Sequence, residues 1–338
     1  MILVTGGTGL VGSHLLYQLT LKNKIIKATY RSNSDIEHVR SLFEYYSKIS
    51  TKLFNKIKWI EADLNNLPKL EIAFEGVSHV YHCAAYISFD PSRNKKLRRI
   101  NIKGTANIVN LCIINKIKKL CHVSSIATIG FDCEKINEEN RWDGNKNKSE
   151  YSISKYGAEM EVWRGTQEGI NSIVVNPGVI IGPGFSRSAY GVVYNMVKNK
   201  RRFHTKGKTG YIDVFDVVNS MIYLMNSKIS NEKYILVNEN LSYKKVNTII
   251  SNSMKIDNKS TYVSKFKLYF ILFFDLLISK ILRRERKLSK ALCNTLTKNY
   301  NYSSDKIKKT MHEFEFTPII ESFEKSYQYY SQEKFSSK

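Results

Sequence analysis

The sequence predicts an α/β protein in which a doubly wound parallel sheet is followed by a smaller, mostly helical C-terminal lobe. Over residues 1–182, short apolar runs typical of buried strands alternate with longer segments of helical apolar spacing. After Gly182 this alternation weakens, and from about residue 255 onward the pattern is helical and irregular. The chain has 338 residues, 42% of them hydrophobic, which is enough for one large domain or two smaller ones.

Strands and helices alternate in order along the first part of the chain. The predicted strands are "ILVTG", "KIIKATY", "IKWIEADL", "VSHVYHCAA", "KKLCHVSSIA" and "INSIVVNPGVIIG". The predicted helices are "LVGSHLLYQLTLK", "DIEHVRSLFEYYSKI", "KKLRRINIKGTANIVNLCIINK" and "SEYSISKYGAEMEVWRG". Further along, "YIDVFDVVNSMIYLMN" predicts a helix and "KYILVN" one more strand of the sheet. Residues 1–182 are therefore expected to form the sheet domain, which 211–240 complete, while 183–210 and 241–338 form the C-terminal lobe.

A glycine-rich turn connects the first strand to the first helix. In "VTGGTGLVGSHLL", Gly6, Gly9 and Gly12 have the spacing G-x-x-G-x-x-G. Glycine allows a tight turn and a close approach of the backbone to a pyrophosphate, and the N-terminus of the following helix offers free N–H groups. A plain strand–helix turn is the alternative. The position between a strand and a helix favours a Rossmann-type domain that binds a dinucleotide.

The residue after the second predicted strand is basic. An acidic side chain there would bind the ribose hydroxyls of NAD. The stretch "ATYRSNSD" instead has Arg31, followed by Ser32. A guanidinium and a hydroxyl suit a 2′-phosphate, so NADP(H) is the favoured cofactor and NAD(H) the alternative. A solvated arginine in a basic protein would also account for Arg31.

A tyrosine and a lysine lie four residues apart in "SEYSISKYG". Tyr151 and Lys155 therefore share one face of a predicted helix, with Cβ atoms about 5–6 Å apart. The same spacing occurs three more times, at Tyr194/Lys198, Tyr302/Lys306 and Tyr330/Lys334. Spacing alone does not separate a catalytic pair from a solvated helix face, so the surrounding sequence has to decide.

Over roughly residues 1–220 the sequence resembles the extended short-chain dehydrogenase/reductase family, which is also described as the NAD-dependent epimerase/dehydratase family. The family's T-G-x-x-G-x-x-G loop is matched by "TGGTGLVG", and its Asp-Leu pair after the third strand by Asp63 and Leu64. Its [N/C]-A-A stretch is matched by "CAA", its helix asparagine by Asn101, its hydroxyl strand by "HVSSIATIG" and its Tyr-x-x-x-Lys by "YSISK". The other three Tyr/Lys pairs are not accompanied by these family motifs.

The resemblance implies two sets of site residues. The catalytic set is Ser125, Tyr151 and Lys155, with Ser124 as the alternative to Ser125. The cofactor-binding set is Gly6, Thr8, Gly9, Leu10, Val11, Gly12, Arg31, Asp63, Leu64, Ala84, Ala85, Tyr151, Lys155 and Pro177. Asn101 is expected either to support a proton-relay water or to tie a helix to the sheet.

The family chemistry assigns a role to each catalytic residue. Tyr151 is expected to donate a proton to the alkoxide that forms when a hydride reaches a carbonyl carbon. A free phenol has a pKa of about 10, and Lys155 is expected to lower it. Lys155 is also expected to bind the nicotinamide ribose, and a serine hydroxyl to hold the substrate oxygen.

The stretch "VVNPGVIIGPG" narrows the resemblance to one branch. It is similar to the R-P-x-x-V-x-G-P stretch of dihydroflavonol reductases and 3β-hydroxysteroid dehydrogenases, with Asn176 in place of the arginine. Nucleotide-sugar epimerases more often have an N-x-Y-G-P type stretch, and the T-D-E run of sugar dehydratases is replaced here by "SSIAT". The favoured activity is reduction of a carbonyl, or oxidation of a hydroxyl, of a small and fairly apolar molecule. A nucleotide-sugar epimerase and a cofactor-binding regulatory protein without turnover are the alternatives.

Composition limits the other partners. The formal net charge is +23, but the lysines are spread along the chain and no nucleic-acid motif accompanies them, so no nucleic-acid partner is expected. The five cysteines form no C-x-x-C pair and no metal-ligand cluster, which predicts free thiols and no metal. The start "MILVTGG" shows no secretory signal, so a cytoplasmic protein is expected, with a homodimer as one assembly it could form.

The most apolar stretch of the chain is residues 266–287, "FKLYFILFFDLLISKILRRERK". Asp275 and Lys280 interrupt it, so it is too short to span a membrane. The favoured interpretation is a helix of the C-terminal lobe whose apolar face closes over the active site. The alternative is an interfacial helix whose basic flank, Arg283, Arg284, Arg286 and Lys287, meets anionic lipid.

Overall fold

A computed structural model describes residues 1–338 except 23, 89, 131–133, 145–147, 185–188, 200–202, 258, 283–285, 287, 313 and 337–338. The first half contains β1 (Ile2–Thr5), α1 (Leu10–Leu21), β2 (Ile26–Tyr30), α2 (Ile36–Tyr46), α3 (Ser50–Phe54), β3 (Ile57–Glu61), α4 (Leu67–Phe74), β4 (His79–His82), α5 (Asn94–Arg98), α6 (Gly104–Ile114), β5 (Lys119–Val123) and α7 (Glu150–Gln167). The second half contains β6 (Ser172–Pro177), β7 (Val179–Ile181), α8 (Ala189–Lys198), β8 (Phe203–His204), β9 (Lys208–Asp213), α9 (Val214–Asn226), β10 (Glu232–Leu236), β11 (Glu239–Ser242), α10 (Tyr243–Ser253), β12 (Thr261–Tyr262), α11 (Lys265–Ile281), α12 (Lys290–Thr297), α13 (Asp305–Thr310) and α14 (Ile319–Ser336).

The main sheet has seven parallel strands in the order β10-β6-β5-β4-β1-β2-β3. The order reverses direction at β1 and β4, which is the arrangement of a doubly wound fold. This confirms the predicted fold class, including the place of "KYILVN" as a strand of this sheet. The carboxyl ends of β1, β4 and β5 meet at one edge, so the residues that follow these strands lie near one another.

Alternate residues of the strands pack against helices on the two faces. Leu3 belongs to the core on one side, with Phe74 and Val162, whereas Val4 belongs to the core on the other side, with Phe43. Both strand residues are fully buried. A strand whose two faces are both covered reads as a continuous apolar run, which explains why "ILVT" lacks alternation.

Two predicted elements are divided in the structure. The single helix expected over "KKLRRINIKGTANIVNLCIINK" consists of α5, a π-helical turn at Arg99–Lys103 and α6. The strand expected over "INSIVVNPGVIIG" consists of β6, in the main sheet, and β7, which pairs with β9 in a separate three-stranded sheet. Gly178 lies between β6 and β7, where a Cβ would lie 2.5 Å from the carbonyl oxygen of Gly210. The chain can change sheets here because glycine allows this close approach.

Helix α11 lies in the C-terminal lobe, and the apolar face that was expected to close over the active site is exposed. The helix packs through Leu268, Tyr269 and Leu272 against Val263 and Cys293. Its other apolar side chains are exposed, because the side of the helix turned toward the protein also carries the polar residues Asp275 and Ser279. Arg283, Arg284 and Lys287 of the predicted basic flank lie outside the described residues. No helix among the described residues is long and apolar enough to cross a membrane.

Candidate active site

The glycine-rich loop turns tightly at the carboxyl end of β1. Gly6 has a φ of +70°, and a Cβ on it would lie 2.7 Å from the Cα of Ala84. A Cβ on Gly12 would collide with the carbonyl oxygen of Gly6. Gly9 is the N-cap of α1 and has no side-chain acceptor, so the cap leaves the first-turn N–H groups without a side-chain bond. The loop therefore offers the bare backbone and helix N-terminus that a pyrophosphate requires.

The remaining loop positions of the predicted cofactor site are grouped around this helix end. Thr8 and Leu10 are half-buried, Gly9 is exposed, and Val11 is buried against the main core. At the start of α1, Gly9 thus lies on the outer side and Val11 on the inner side. These positions fit a dinucleotide phosphate lying over the turn.

Arg31 directly follows β2, and its side chain is exposed. Its backbone forms a tight turn with Ser34, donating to the hydroxyl at 3.1 Å and accepting from the amide at 2.8 Å. The nearby carboxylate of Asp35 is used as the N-cap of α2, where it accepts from the His38 amide. Within the described part of the chain, the Arg31 guanidinium has no hydrogen-bond or ion-pair partner. The end of β2 therefore presents an unpaired cation, which fits a 2′-phosphate.

The other predicted cofactor residues lie at the ends of β3, β4 and β6. The Asp63 carboxylate accepts from the amide of Asn65 at 2.9 Å, and Leu64 is buried against Gly104. Ala84 is half-buried beside the glycine loop, whereas Ala85 is exposed. Pro177 is the last residue of β6 and is buried. All five positions lie at the carboxyl ends of strands, where ligands of open α/β sheets bind.

Ser125, Tyr151 and Lys155 lie together where β5 ends against α7. The Tyr151 phenol is hydrogen-bonded to the Ser125 side chain, and both residues are half-buried. The Lys155 side chain is almost fully buried, and its Nζ donates to the carbonyl oxygen of Val123 at 2.7 Å. Ser149 caps α7 by accepting from the Ser152 amide, so the helix starts at Glu150, one residue before Tyr151. Two hydroxyls and one amino group are therefore held at one point by the helix and the strand end.

The pKa values of this group follow from burial. Burial lowers the pKa of Lys155 to about 8, against the raising effects of Glu159 and Cys83. Burial also raises the pKa of Tyr151, while the hydrogen bond from Ser125 opposes that rise. Burial therefore decides the net direction for the phenol, and the lowering effect expected of Lys155 stays a prediction.

A buried carboxylate that the sequence analysis missed lies beneath the candidate catalytic group. Glu159 is 2% exposed, and its Oε2 accepts from Ser124 at 2.7 Å, Thr128 at 2.8 Å and Asn176 at 3.0 Å. The Ser124 hydroxyl is thus committed to Glu159, while that of Ser125 faces Tyr151. Glu159 comes four residues after Lys155, so its position on the same helix face was readable from the sequence.

Asn101 lies in the π-helical turn and is almost fully buried. Its Nδ2 donates to the carbonyl oxygen of Tyr86 and to the hydroxyl of Ser154, each at 2.9 Å. Its Oδ1 accepts from the Tyr86 amide at 2.7 Å. These bonds tie the turn to the loop after β4 and to α7. They correspond to the structural role, which was one of the two roles expected for Asn101.

The other Tyr/Lys pairs lie in different surroundings. Tyr194 and Tyr330 are buried and stack on each other with ring centroids 5.0 Å apart. Tyr302 is buried beside Tyr300, and Lys306 forms an ion pair with Glu232. Ring packing accounts for the three tyrosines, and an ion pair accounts for Lys306. Among the described residues, no group of histidine, cysteine, aspartate and glutamate side chains could hold a metal, and the four described cysteines are free.

Comparison with known proteins identifies the family. The NAD dependent epimerase/dehydratase family matches residues 2–238, which is most of the chain. This protein belongs to that family. The match covers the glycine loop, the Tyr151/Lys155 helix and β10, so the predicted resemblance is confirmed.

Named relatives include reductases. The chain is 25% identical over 250 residues to dihydroflavonol 4-reductase of Gerbera hybrida, covering 69% of this chain and 67% of that protein. It is 24% identical over 241 residues to sterol demethylase protein B of Methylococcus capsulatus, covering 70% and 69%. The fold is similar to that of UDP-glucuronic acid 4-epimerase from Bacillus cereus in complex with NAD, with a TM-score of 0.73, 16% identity and 98% of each chain covered.

Proposed function

We propose that this protein is an NADP(H)-dependent reductase that converts a carbonyl of a small, fairly apolar molecule into a hydroxyl, or catalyses the reverse oxidation. The observation that carries this proposal is the grouping of the Ser125 and Tyr151 hydroxyls with the Lys155 amino group at the end of β5. A family member that only binds its cofactor does not need this set. Relatives named as dihydroflavonol 4-reductase support the same class of reaction.

The proposed roles follow from the chemistry of each side chain. Ser125 holds the substrate oxygen, and Tyr151 donates a proton to that oxygen as negative charge develops on it. Lys155 binds the nicotinamide ribose and favours the phenolate form of Tyr151 electrostatically. A bound nicotinamide would supply the hydride. Because the Tyr151 phenol is protonated at neutral pH, it is ready to act as the acid in the direction of reduction.

The cofactor-binding residues are proposed from the fit of the glycine loop and the strand ends described above. The unpaired guanidinium of Arg31, and the commitment of Asp35 to a helix cap, favour NADP(H) over NAD(H). The lobe formed by 183–210 and 241–338 is proposed to select the substrate, because its chain enters and leaves the sheet domain beside β6 and β10.

A nucleotide-sugar epimerase is the second candidate, because the family name and the similar fold of the Bacillus cereus epimerase both include that activity. An assay of NADPH and NADH oxidation with a panel of aliphatic and aromatic ketones separates the two. A reductase oxidises the cofactor in proportion to product, whereas an epimerase regenerates it and shows no net consumption. Interconversion of UDP-sugars without net consumption, together with no ketone reduction, would overturn the proposal. Cofactor binding with neither activity would favour the regulatory alternative.

A further inference from the structure

Helix α11 exposes a continuous apolar face. One line of side chains, spaced by three or four residues, runs along its whole length on the side opposite the protein. The exposed fractions are 82% at Phe266, 59% at Phe270, 56% at Phe273, 39% at Leu277 and 77% at Ile281. A contiguous apolar surface of this kind on a folded protein marks a contact site.

Polar contacts fix the rotation of α11, so this face cannot be turned inward. Asp275 and Ser279 are each 7% exposed and lie on the side of the helix that faces the protein, together with Leu268. The Asp275 carboxylate accepts a hydrogen bond of 3.1 Å from the amide of Leu288. Rotating the helix to hide the phenylalanines would expose Leu268 and break this bond.

Cationic side chains lie at both ends of the apolar face. Lys265 and Lys267 are exposed in the first turn, Lys280 is exposed in the last turn, and Lys290 is exposed at the start of α12. Lysines in the first turn of a helix oppose its dipole and are unfavourable there. Helix stability therefore does not explain Lys265 and Lys267. The net charge of +23 also favours an anionic partner.

We propose that α11 lies flat in the surface of an anionic membrane, with its apolar face among the acyl chains and its lysines among the headgroups. A helix of 17 residues is about 25 Å long, and interfacial helices sink about 5–10 Å below the headgroups. Lys280 reaches the headgroups because its long stem can lie along apolar surface. Since both ends of α11 are cationic, pairing two α11 faces in either orientation would bring like charges together, so a second copy is the poorer occupant. This proposal does not depend on the reductase activity.

Vesicle flotation of the full chain tests the proposal directly. The vesicles are phosphatidylcholine alone or phosphatidylcholine with phosphatidylglycerol, each at low and high salt. The test variant is Phe270→Ser/Phe273→Ser/Ile281→Ser. The matched control is Ile25→Ser/Ile72→Ser/Ile114→Ser, which removes three exposed apolar side chains that lie away from α11. Circular dichroism checks that both variants fold, and light scattering gives their oligomeric state.

The proposal expects the wild type and the control to float with the anionic vesicles, and salt to weaken the binding. The α11 variant should partition into vesicles more than about tenfold less, because it replaces three apolar side chains of the inserted face with polar ones. A separate variant, Phe273→Trp, should be quenched by lipids that carry a quencher in the upper acyl chain. Wild-type protein that stays in the soluble fraction would overturn the proposal. A dimer that the α11 variant dissociates, without vesicle binding by the wild type, would also overturn it and assign the face to a second copy.

Discussion

The Nδ2 atom of Asn176 donates a hydrogen bond of 3.0 Å to the Oε2 atom of Glu159, and both residues are almost fully buried. Dihydroflavonol reductases have an arginine in the position of Asn176. A neutral amide here means that Glu159 is held by hydrogen bonds from Asn176, Ser124 and Thr128. The bonds connect β6, the loop after β5 and α7, so they hold the segment with Ser125 against the helix with Tyr151 and Lys155.

Replacing Asn176 by aspartate should destabilise the protein. The substitution keeps the shape but places a second buried carboxylate at hydrogen-bond distance from Glu159, where two like charges cannot both stay ionised. We expect a loss of more than about 3 kcal/mol in the free energy of unfolding at neutral pH, and a smaller loss at acid pH. Urea unfolding at the two pH values measures this, with Asn176→Ala as the control for loss of the amide alone. Equal losses for both variants would contradict the explanation.

Replacing Tyr151 by phenylalanine should abolish turnover and leave cofactor binding nearly intact. The variant removes only the hydroxyl that bonds to Ser125, and the ring still fills the half-buried position. We expect at least about a hundredfold loss of kcat, the usual contribution of a positioned proton donor. Steady-state kinetics and cofactor titration by fluorescence give the two quantities. Turnover within a few-fold of wild type would remove Tyr151 from the mechanism. Tyr302→Phe is the control, because Tyr302 is also a tyrosine four residues before a lysine but lies outside the candidate site.

Replacing Lys155 by alanine should damage both cofactor affinity and rate, since two roles are proposed for this side chain. It also removes the 2.7 Å bond to the Val123 carbonyl, so some stability is lost as well. Lys155→Met keeps most of the buried volume and separates the charge from the packing. We expect both variants to raise the Kd of NADPH and to lower kcat, whereas a residue that only packs would give a normal Kd in the Met variant.

The fold and most of the candidate site were predictable because each depends on local sequence. The alternation of apolar runs predicted the main sheet, and the glycine spacing from Gly6 to Gly12 located the phosphate loop. The divided elements were not predictable in this way. The split between β6 and β7 depends on the contact of Gly178 with Gly210, and the π-helical turn depends on the bonds of Asn101 to the loop after β4. Such contacts between distant parts of the chain leave no periodic pattern.

The orientation of α11 could also not be predicted from the sequence. Its composition predicted an apolar helix, and both a buried and an exposed face were consistent with it. The bond from the Leu288 amide to Asp275 decides which side faces the protein. The rise in the pKa of Tyr151 was missed for a related reason, since burial of the phenol depends on contacts between distant parts of the chain.

Replacing Arg31 by aspartate should shift the cofactor preference from NADP(H) toward NAD(H). A carboxylate repels a 2′-phosphate and accepts hydrogen bonds from ribose hydroxyls. Because the Arg31 side chain is exposed, the variant should fold normally. The ratio of kcat/KM for the two cofactors measures the shift, and Arg40→Asp, in α2, is the control for a lost positive charge nearby. A wild-type protein that already prefers NAD(H) would contradict the role given to Arg31.

The last prediction concerns acid stability. Burial lowers the pKa of His14 to about 4 and that of His82 to about 3, and it also lowers the pKa of His122. In the unfolded chain these groups titrate at about 6.5, so between about pH 6.5 and 4 the unfolded state binds more protons than the folded state. Stability should therefore fall as the pH falls, by about 1.4 kcal/mol per pH unit for each histidine. Asp216 has the opposite sign, because burial raises its pKa to about 7 and the folded state keeps that proton.

Burial also raises the pKa values of Asp213 and Glu138, so these carboxyls oppose the histidines together with Asp216. The histidine contribution is therefore measured as a difference between the slopes of two proteins. His122→Leu is the variant that tests this origin. Both ring nitrogens of His122 lack a hydrogen-bond partner among the described residues, so leucine removes the titrating group without breaking a bond. The variant should be at least as stable as wild type at neutral pH, and its loss per pH unit should be smaller by about 1.4 kcal/mol. Urea unfolding at several pH values measures both slopes, with the exposed His312→Asn as the control. An unchanged slope in His122→Leu would mean that the acid sensitivity comes from other groups.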